Sequence, residues 1–208
     1  MQDIEKALCE IVLNHQACDA AHDIEHIKRV VSTAKQLAES EKADLNIVVP
    51  AVWLHDIVAV AKDDPRRSIA SQLAAQKAVE LLMDLDYPQQ YMEGIFHAIE
   101  AHSFSANITP LTLEAQVVQD ADRLDALGAI GLARCFMVNG QMMRPLYHLS
   151  DPFCNDREPN DQQYCIDHFY VKLFKLPSTM STQAGKQEGA KRVKFMESFL
   201  HQLDLEIH

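Results

Sequence analysis

The sequence predicts an all-α helical bundle folded as a single domain, and three observations carry that expectation. Only six glycines and eight prolines punctuate its 208 residues. Most long segments repeat apolar residues at helical spacing. Strand-like alternation of apolar and polar residues is nearly absent. A chain of this length can bury one sizeable core. Its 48% hydrophobic and 24% charged residues are ordinary for a folded protein.

Ile4, Leu8, Ile11 and Val12 form the first apolar stripe. Ile27, Val30, Val31, Ala34 and Leu37 form the second, with Asp23 placed to cap its start. Helical patterning continues over 46–60, 68–85, 90–102, 111–137, 163–175 and 184–203. Leu85-Asp86-Tyr87-Pro88 breaks two of these, and Thr109-Pro110 precedes another. Residues 144–162 depart from the pattern, carrying Pro145, Pro152, Pro159 and the polar series Ser150-Asp151-Pro152-Phe153-Cys154-Asn155-Asp156-Arg157-Glu158. A connection this long is uncommon in a bundle, and it reads either as a lid or as a disordered surface loop. Tyr147 and Phe153 give it something to pack with. Residues 163–208 are expected to return as C-terminal helices packed on the bundle.

The formal net charge is −11, from 30 acidic and 19 basic residues. That balance argues against a general nucleic-acid binder. A small phosphorylated substrate is still compatible, because a metal ion and a few cations can reverse the sign inside a pocket. The five cysteines, at 9, 18, 135, 154 and 165, include no Cys-x-x-Cys pair, so neither a disulfide framework nor a thiolate zinc site is expected. The first residues lack the layout of a signal peptide, and no apolar run approaches a membrane span. The expected location is cytoplasmic, with no membrane partner.

Chemistry concentrates at His55-Asp56, which ends the apolar run Val48-Val49-Pro50-Ala51-Val52-Trp53-Leu54. His26 lies upstream and Asp122 downstream, each on its own apolar helix. Taken singly, His26 reads as a core histidine, Asp122 as a solvated carboxylate or a partner of Arg123, and the dipeptide as chance. Together they form a mixed nitrogen and oxygen set that suits Mn, Fe, Co, Ni or Zn better than Ca. Helical bundles build such sites from facing helices. Adjacent His and Asp cannot share a face in mid-helix, but near a helix end both can turn inward.

In the order His26, His55-Asp56, Asp122, the chain resembles the HD-domain metal-dependent phosphohydrolases, most closely their YedJ/YpgQ-type branch. The strings Ala21-His22-Asp23-Ile24-Glu25-His26, His97-Ala98-Ile99-Glu100-Ala101-His102 and Gln119-Asp120-Ala121-Asp122-Arg123-Leu124-Asp125 carry the likeness. It runs on through Asp151-Pro152-Phe153, Asp167-His168-Phe169, Lys172-Leu173 and Thr182. The resemblance implies an α-helical HD fold and one divalent metal held by His26, His55, Asp56 and Asp122. Mn is preferred, with Co, Ni, Fe, Mg or Zn as alternatives. One departure matters. Some HD enzymes carry Glu-Asp soon after the doublet, whereas this chain has Ile57-Val58-Ala59-Val60-Ala61-Lys62, so that catalytic role does not transfer. Two-metal branches use further histidines, for which His97 and His102 are the local candidates; their spacing does not establish a second site.

The resemblance also implies cleavage of (deoxy)nucleoside triphosphates to monophosphate and pyrophosphate. The alternatives are a phosphomonoesterase acting on a small metabolite and a non-catalytic nucleotide-binding regulatory module. A metal held this way would activate water and polarise a phosphoryl oxygen, making Asp56 and Asp122 catalytic as well as ligating. Cations must neutralise the remaining phosphates. The candidates are Lys62 and Arg66 after the doublet and Lys172, Lys175 and Lys186 near the C-terminus, each otherwise a solvated charge. Arg123 is expected to support Asp122 or pair with another acid. His102 is a candidate to protonate a leaving group or bind phosphate, or else it caps its helix. Asp125, one turn after Asp122, and His22, one turn before His26, are candidates for supporting the site or contacting substrate.

Overall fold

The computed structural model describes residues 2–15, 24–58, 60, 64–103 and 106–207, and every helix or strand among them is a helix. The α-helices are α1 Gln2–His15, α2 Ile24–Glu41, α3 Leu45–Leu54, α4 Ala70–Asp84 and α5 Met92–Glu100. They continue with α6 Leu113–Leu124, α7 Gly128–Gln141, α8 Asp167–Val171 and α9 Gln183–Ile207. Short 3-10 stretches cover Pro65–Ile69, Gln89–Tyr91 and Leu173–Thr179. None of the described helices is long and apolar enough to cross a membrane. The chain falls into two units: residues up to Asp122 with Ser181–Ala184, and Arg123–Met180 with the residues from Gly185 onward.

In the first unit the second expected stripe is buried throughout, and the first in part, with Ile4 and Ile11 half-buried. Leu8 and Val12 of α1 are covered, as are Ile27, Val30, Val31, Ala34 and Leu37 of α2. α3 packs against α1, α2 and α5, while α4 lies along α5. Because α3 has neighbours on several sides, Val48, Val49, Ala51, Val52 and Leu54 are all fully buried. Asp44 caps its start by accepting from the Asn46 N–H at 2.8 Å. The helix stops at Leu54, short of the expected residue 60, in a turn closed by Ile57 N–H to Leu54 O at 3.1 Å.

The expected helix over 111–137 is two helices, and Gly128 marks the break. Its φ of +72° is open to glycine and costly for other residues. Within α6 the residues 117–121 are buried without interruption, so polar side chains there need partners. Asp120 has three: the Ser181 N–H, the Thr182 N–H and the Thr182 hydroxyl, the last at 2.7 Å. Asp120→Ala is therefore expected to cost about 2–3 kcal/mol, the range for losing hydrogen bonds to a buried charge. Urea titration would show it, and a loss below about 0.5 kcal/mol would mean the 181–184 segment is held by other means.

In the second unit, Phe136, Phe169, Phe174 and Phe199 form an aromatic cluster with successive ring centroids 5.6–6.3 Å apart. A Cβ at Gly131 would collide with the Ala126 carbonyl, so the α7 start admits no side chain there. The expected 163–175 helix is reduced to α8 and a 3-10 stretch, with Lys172 leaving helical geometry between them. The 144–162 connection is bonded along its length. Cys165 and Ile166 N–H groups donate to Pro145 and Leu146 carbonyls, and Asp151 accepts from the Asn155 and Asp156 N–H groups. Arg157 grips buried Asp167 with both terminal nitrogens. Cys9, Cys135, Cys154 and Cys165 are free thiols; Cys18 and the expected cap Asp23 lie outside the described residues.

Candidate metal centre

Four segments of the first unit bring imidazoles and carboxylates together. His26 lies in the first turn of α2, on the face that carries Val30 into the core. His55 and Asp56 occupy the turn that ends α3, where successive residues no longer follow helical register and both point inward. Asp122 comes from the last turn of α6, and His102 from the turn after α5.

The distances define one cluster. His26, His55 and Asp56 each offer a ligand atom, all within 4.8 Å of one another. Asp122 Oδ1 stands 3.5 Å from His26 Nε2 and 3.9 Å from His55 Nε2. Asp56 reaches His55 Nε2 at 3.4 Å through Oδ2 and His102 Nε2 at 3.5 Å through Oδ1. The His55 ring meets His26 and His102 edge-on, with centroids 5.7 and 4.9 Å away. The three imidazoles are buried, while Asp56 and Asp122 keep 25% and 30% of their side chains exposed. The histidines thus form a buried floor and the carboxylates a rim that reaches solvent.

Two of the rings are set by the same device. His55 Nδ1 lies 2.7 Å from Val52 O, and His102 Nδ1 lies 2.6 Å from Ile99 O, each three residues back at a helix end. A carbonyl can only accept, so Nδ1 carries the hydrogen and a neutral ring presents a bare Nε2 to the cluster. His55 Nε2 is fully buried with no hydrogen-bond partner among the described residues. Burial works against a charge on His55, but the carboxylates of Asp56 and Asp122 outweigh it and raise its pKa to about 9, so without a cation Nε2 holds a proton that a bound metal would displace. Burial likewise opposes ionisation of Asp56, and the neighbouring His55 and His102 hold it well below the usual carboxylate range. An orphaned imidazole nitrogen between two carboxylates selects for a cation, so these residues fit a divalent metal.

The other expected residues fall elsewhere or do something else. Asp125 lies past the end of α6, so the helical register expected to align it with Asp122 stops short. In the second unit it accepts from Arg134 Nη1 at 2.6 Å. Arg66 is exposed and forks onto Asp64, with Nη2 to Oδ2 at 2.7 Å. Lys172, Lys175 and Lys186 are exposed residues of the second unit. Arg123 donates to Thr179 O at 2.6 Å. His97 is committed on both nitrogens, to Glu100 Oε1 at 3.0 Å and the Leu111 N–H at 2.9 Å. Lys62 and His22 lie outside the described residues. Ser71, which no motif contained, and Gln119, which opened a quoted string but was given no role, bond the turn that carries His102. Their signal was indirect: polar side chains within buried helical stretches.

Comparison with known proteins gives a consistent set. A family model described as HD domain matches residues 23–127. The Bacillus subtilis (strain 168) protein YpgQ is 33% identical over 192 residues, covering 90% of this chain and 85% of its own. The crystal structure of an HD-superfamily hydrolase from Bacillus thuringiensis aligns with a TM-score of 0.77 and 33% identity, over 99% of this chain and 97% of that one. The crystal structure of B. subtilis YpgQ in complex with ADP aligns with a TM-score of 0.74 and 32% identity, over 96% and 97%.

Proposed function

The chain belongs to the HD-domain family of metal-dependent phosphohydrolases, and from that premise we propose that it cleaves (deoxy)nucleoside triphosphates to the monophosphate and pyrophosphate. The observation that carries the site is the buried His55 Nε2, without a hydrogen-bond partner among the described residues and set between Asp56 and Asp122. The nucleotide part draws support from YpgQ, a relative of similar length whose crystal structure holds ADP. His26, His55, Asp56 and Asp122 are the proposed holders of one divalent ion. Mn is our first choice for two imidazoles and two carboxylates. Such an ion supplies Lewis acidity, activating water and drawing charge off a phosphoryl oxygen.

The chain's own residues supply the rest. His102 presents Nε2 beside Asp56, where, carrying a proton, it can protonate the leaving oxygen or bind a phosphoryl oxygen. Lys62 is our preferred neutraliser of the outer phosphates, with Arg66 as a further candidate. The Arg134 pair accounts for Asp125 without assigning it a part in the chemistry.

Protein stripped of metal and reloaded with Mn would be incubated with a panel of ribo- and deoxynucleoside triphosphates, with pyrophosphate and orthophosphate measured separately. Pyrophosphate in step with monophosphate is the expected result. Orthophosphate alone would replace the reading with a stepwise phosphatase. No product under any divalent ion would sink the nucleotide reading.

A further inference from the structure

α5 ends at Glu100, and His102 follows in a turn. The last carbonyls of a helix have no helical N–H to accept, and in a buried setting each needs another donor. Two side chains from flanking helices meet that need. Ser71 of α4 donates its hydroxyl to Glu100 O at 2.8 Å. Gln119 of α6 donates its Nε2 to Ala101 O at 2.7 Å. Both donors are buried, and since Ala101 O only accepts, the Gln119 amide can stand only one way round. Two successive peptide groups before His102 are therefore clamped from two different helices. Beyond that clamp the His102 ring is held by its own Nδ1 contact to Ile99 O, leaving Nε2 3.5 Å from Asp56 Oδ1.

We propose that Gln119, together with Ser71, is a positioning residue for His102: their hydrogen bonds fix where the imidazole stands and which nitrogen faces Asp56. Gln119 also sits one helical turn before Asp122, so α6 places one carboxylate of the cluster directly and one imidazole through Gln119. What the placed ring then does rests on the metal-site reading above; the placement itself does not.

The test uses the full-length protein, metal-free, with imidazole nitrogens read by long-range nitrogen–proton NMR. Gln119→Leu keeps most of the side-chain volume and removes the donor; Ser71→Ala does the same for the other bond and serves if the first variant fails to fold. The expected result is a shift of the His102 nitrogens in either variant, with those of His97, held by Glu100 and Leu111, unmoved. In Mn-loaded protein kcat should fall about 10-fold with KM within about twofold, the scale of losing an outer contact that orients a working histidine. His102 signals superimposable on wild type in a folded variant would overturn the proposal, even if that variant melts earlier, because a merely structural bond predicts only the lower stability. Should the wild-type protein hydrolyse nothing, the functional reading fails alone, and the NMR comparison still decides the positioning role.

Discussion

Asp122→Ala is expected to abolish tight metal binding and to lower kcat/KM by at least about 10³-fold, more than the roughly 10–100-fold lost with an outer partner of a metal ligand. Asp122 Oδ1 approaches both His26 and His55, so its loss leaves two imidazoles and a single carboxylate around the orphaned His55 Nε2. The fold should hardly notice. Asp122 keeps 30% of its side chain in solvent, so water screens its attraction to the imidazoles and its removal costs little stability. Asp120, two residues earlier on the same helix, should show the opposite: stability lost through its three hydrogen bonds to Ser181 and Thr182, with the metal cluster's own atoms untouched. Calorimetric titration with Mn and thermal melts of both variants would separate the two effects. An Asp122→Ala protein that binds and turns over like wild type would remove the cluster from the reaction.

That neighbouring aspartates can differ so much shows what a sequence can carry. The cluster was legible because His26, His55-Asp56 and Asp122 stand in the order of the HD-type proteins the chain resembles, each beside an apolar helical stretch. The end of α3 at Leu54 was half legible. The need for both members of the doublet to face inward implied a helix terminus, yet the apolar run that continues to Val60 suggested a longer helix. The split of 111–137 had a visible signal in Gly128, but a glycine inside an apolar run is tolerated in many helices, and only its φ of +72° decides the matter. Roles that depend on distant pairing were not legible. Nothing local tells that Asp120 waits for Thr182 sixty-two residues on, that Gln119 reaches back to Ala101, or that Arg123 turns to Thr179.

The 144–162 connection supplies the second large effect. Its composition left a lid and a disordered loop open, and the bonding describes an ordered segment centred on Asp167. That carboxylate is fully buried and accepts from Arg157 Nη1 and Nη2 and from the Asn160 N–H. Asp167→Asn is expected to destabilise the protein by about 3 kcal/mol, the low end for breaking a buried ion pair, because Arg157 retains 19% exposure and some hydration. For a chain of this size that corresponds to a melting point lower by about 6–12 °C. The pH dependence has a definite sign. Burial alone would raise the Asp167 pKa, but the Arg157 fork and the Asn160 N–H prevail and hold it below its ordinary value. Its contribution is then complete above the unfolded value of about pH 4 and is lost as pH falls through the lower folded value. The gap between wild type and Asp167→Asn should therefore be constant near neutrality and close in acid. A gap that does not begin to narrow as pH falls below about 4 would mean that Asp167 stabilises the segment by shape and not by charge. No gap at neutral pH would mean that the loop is ordered without its anchor.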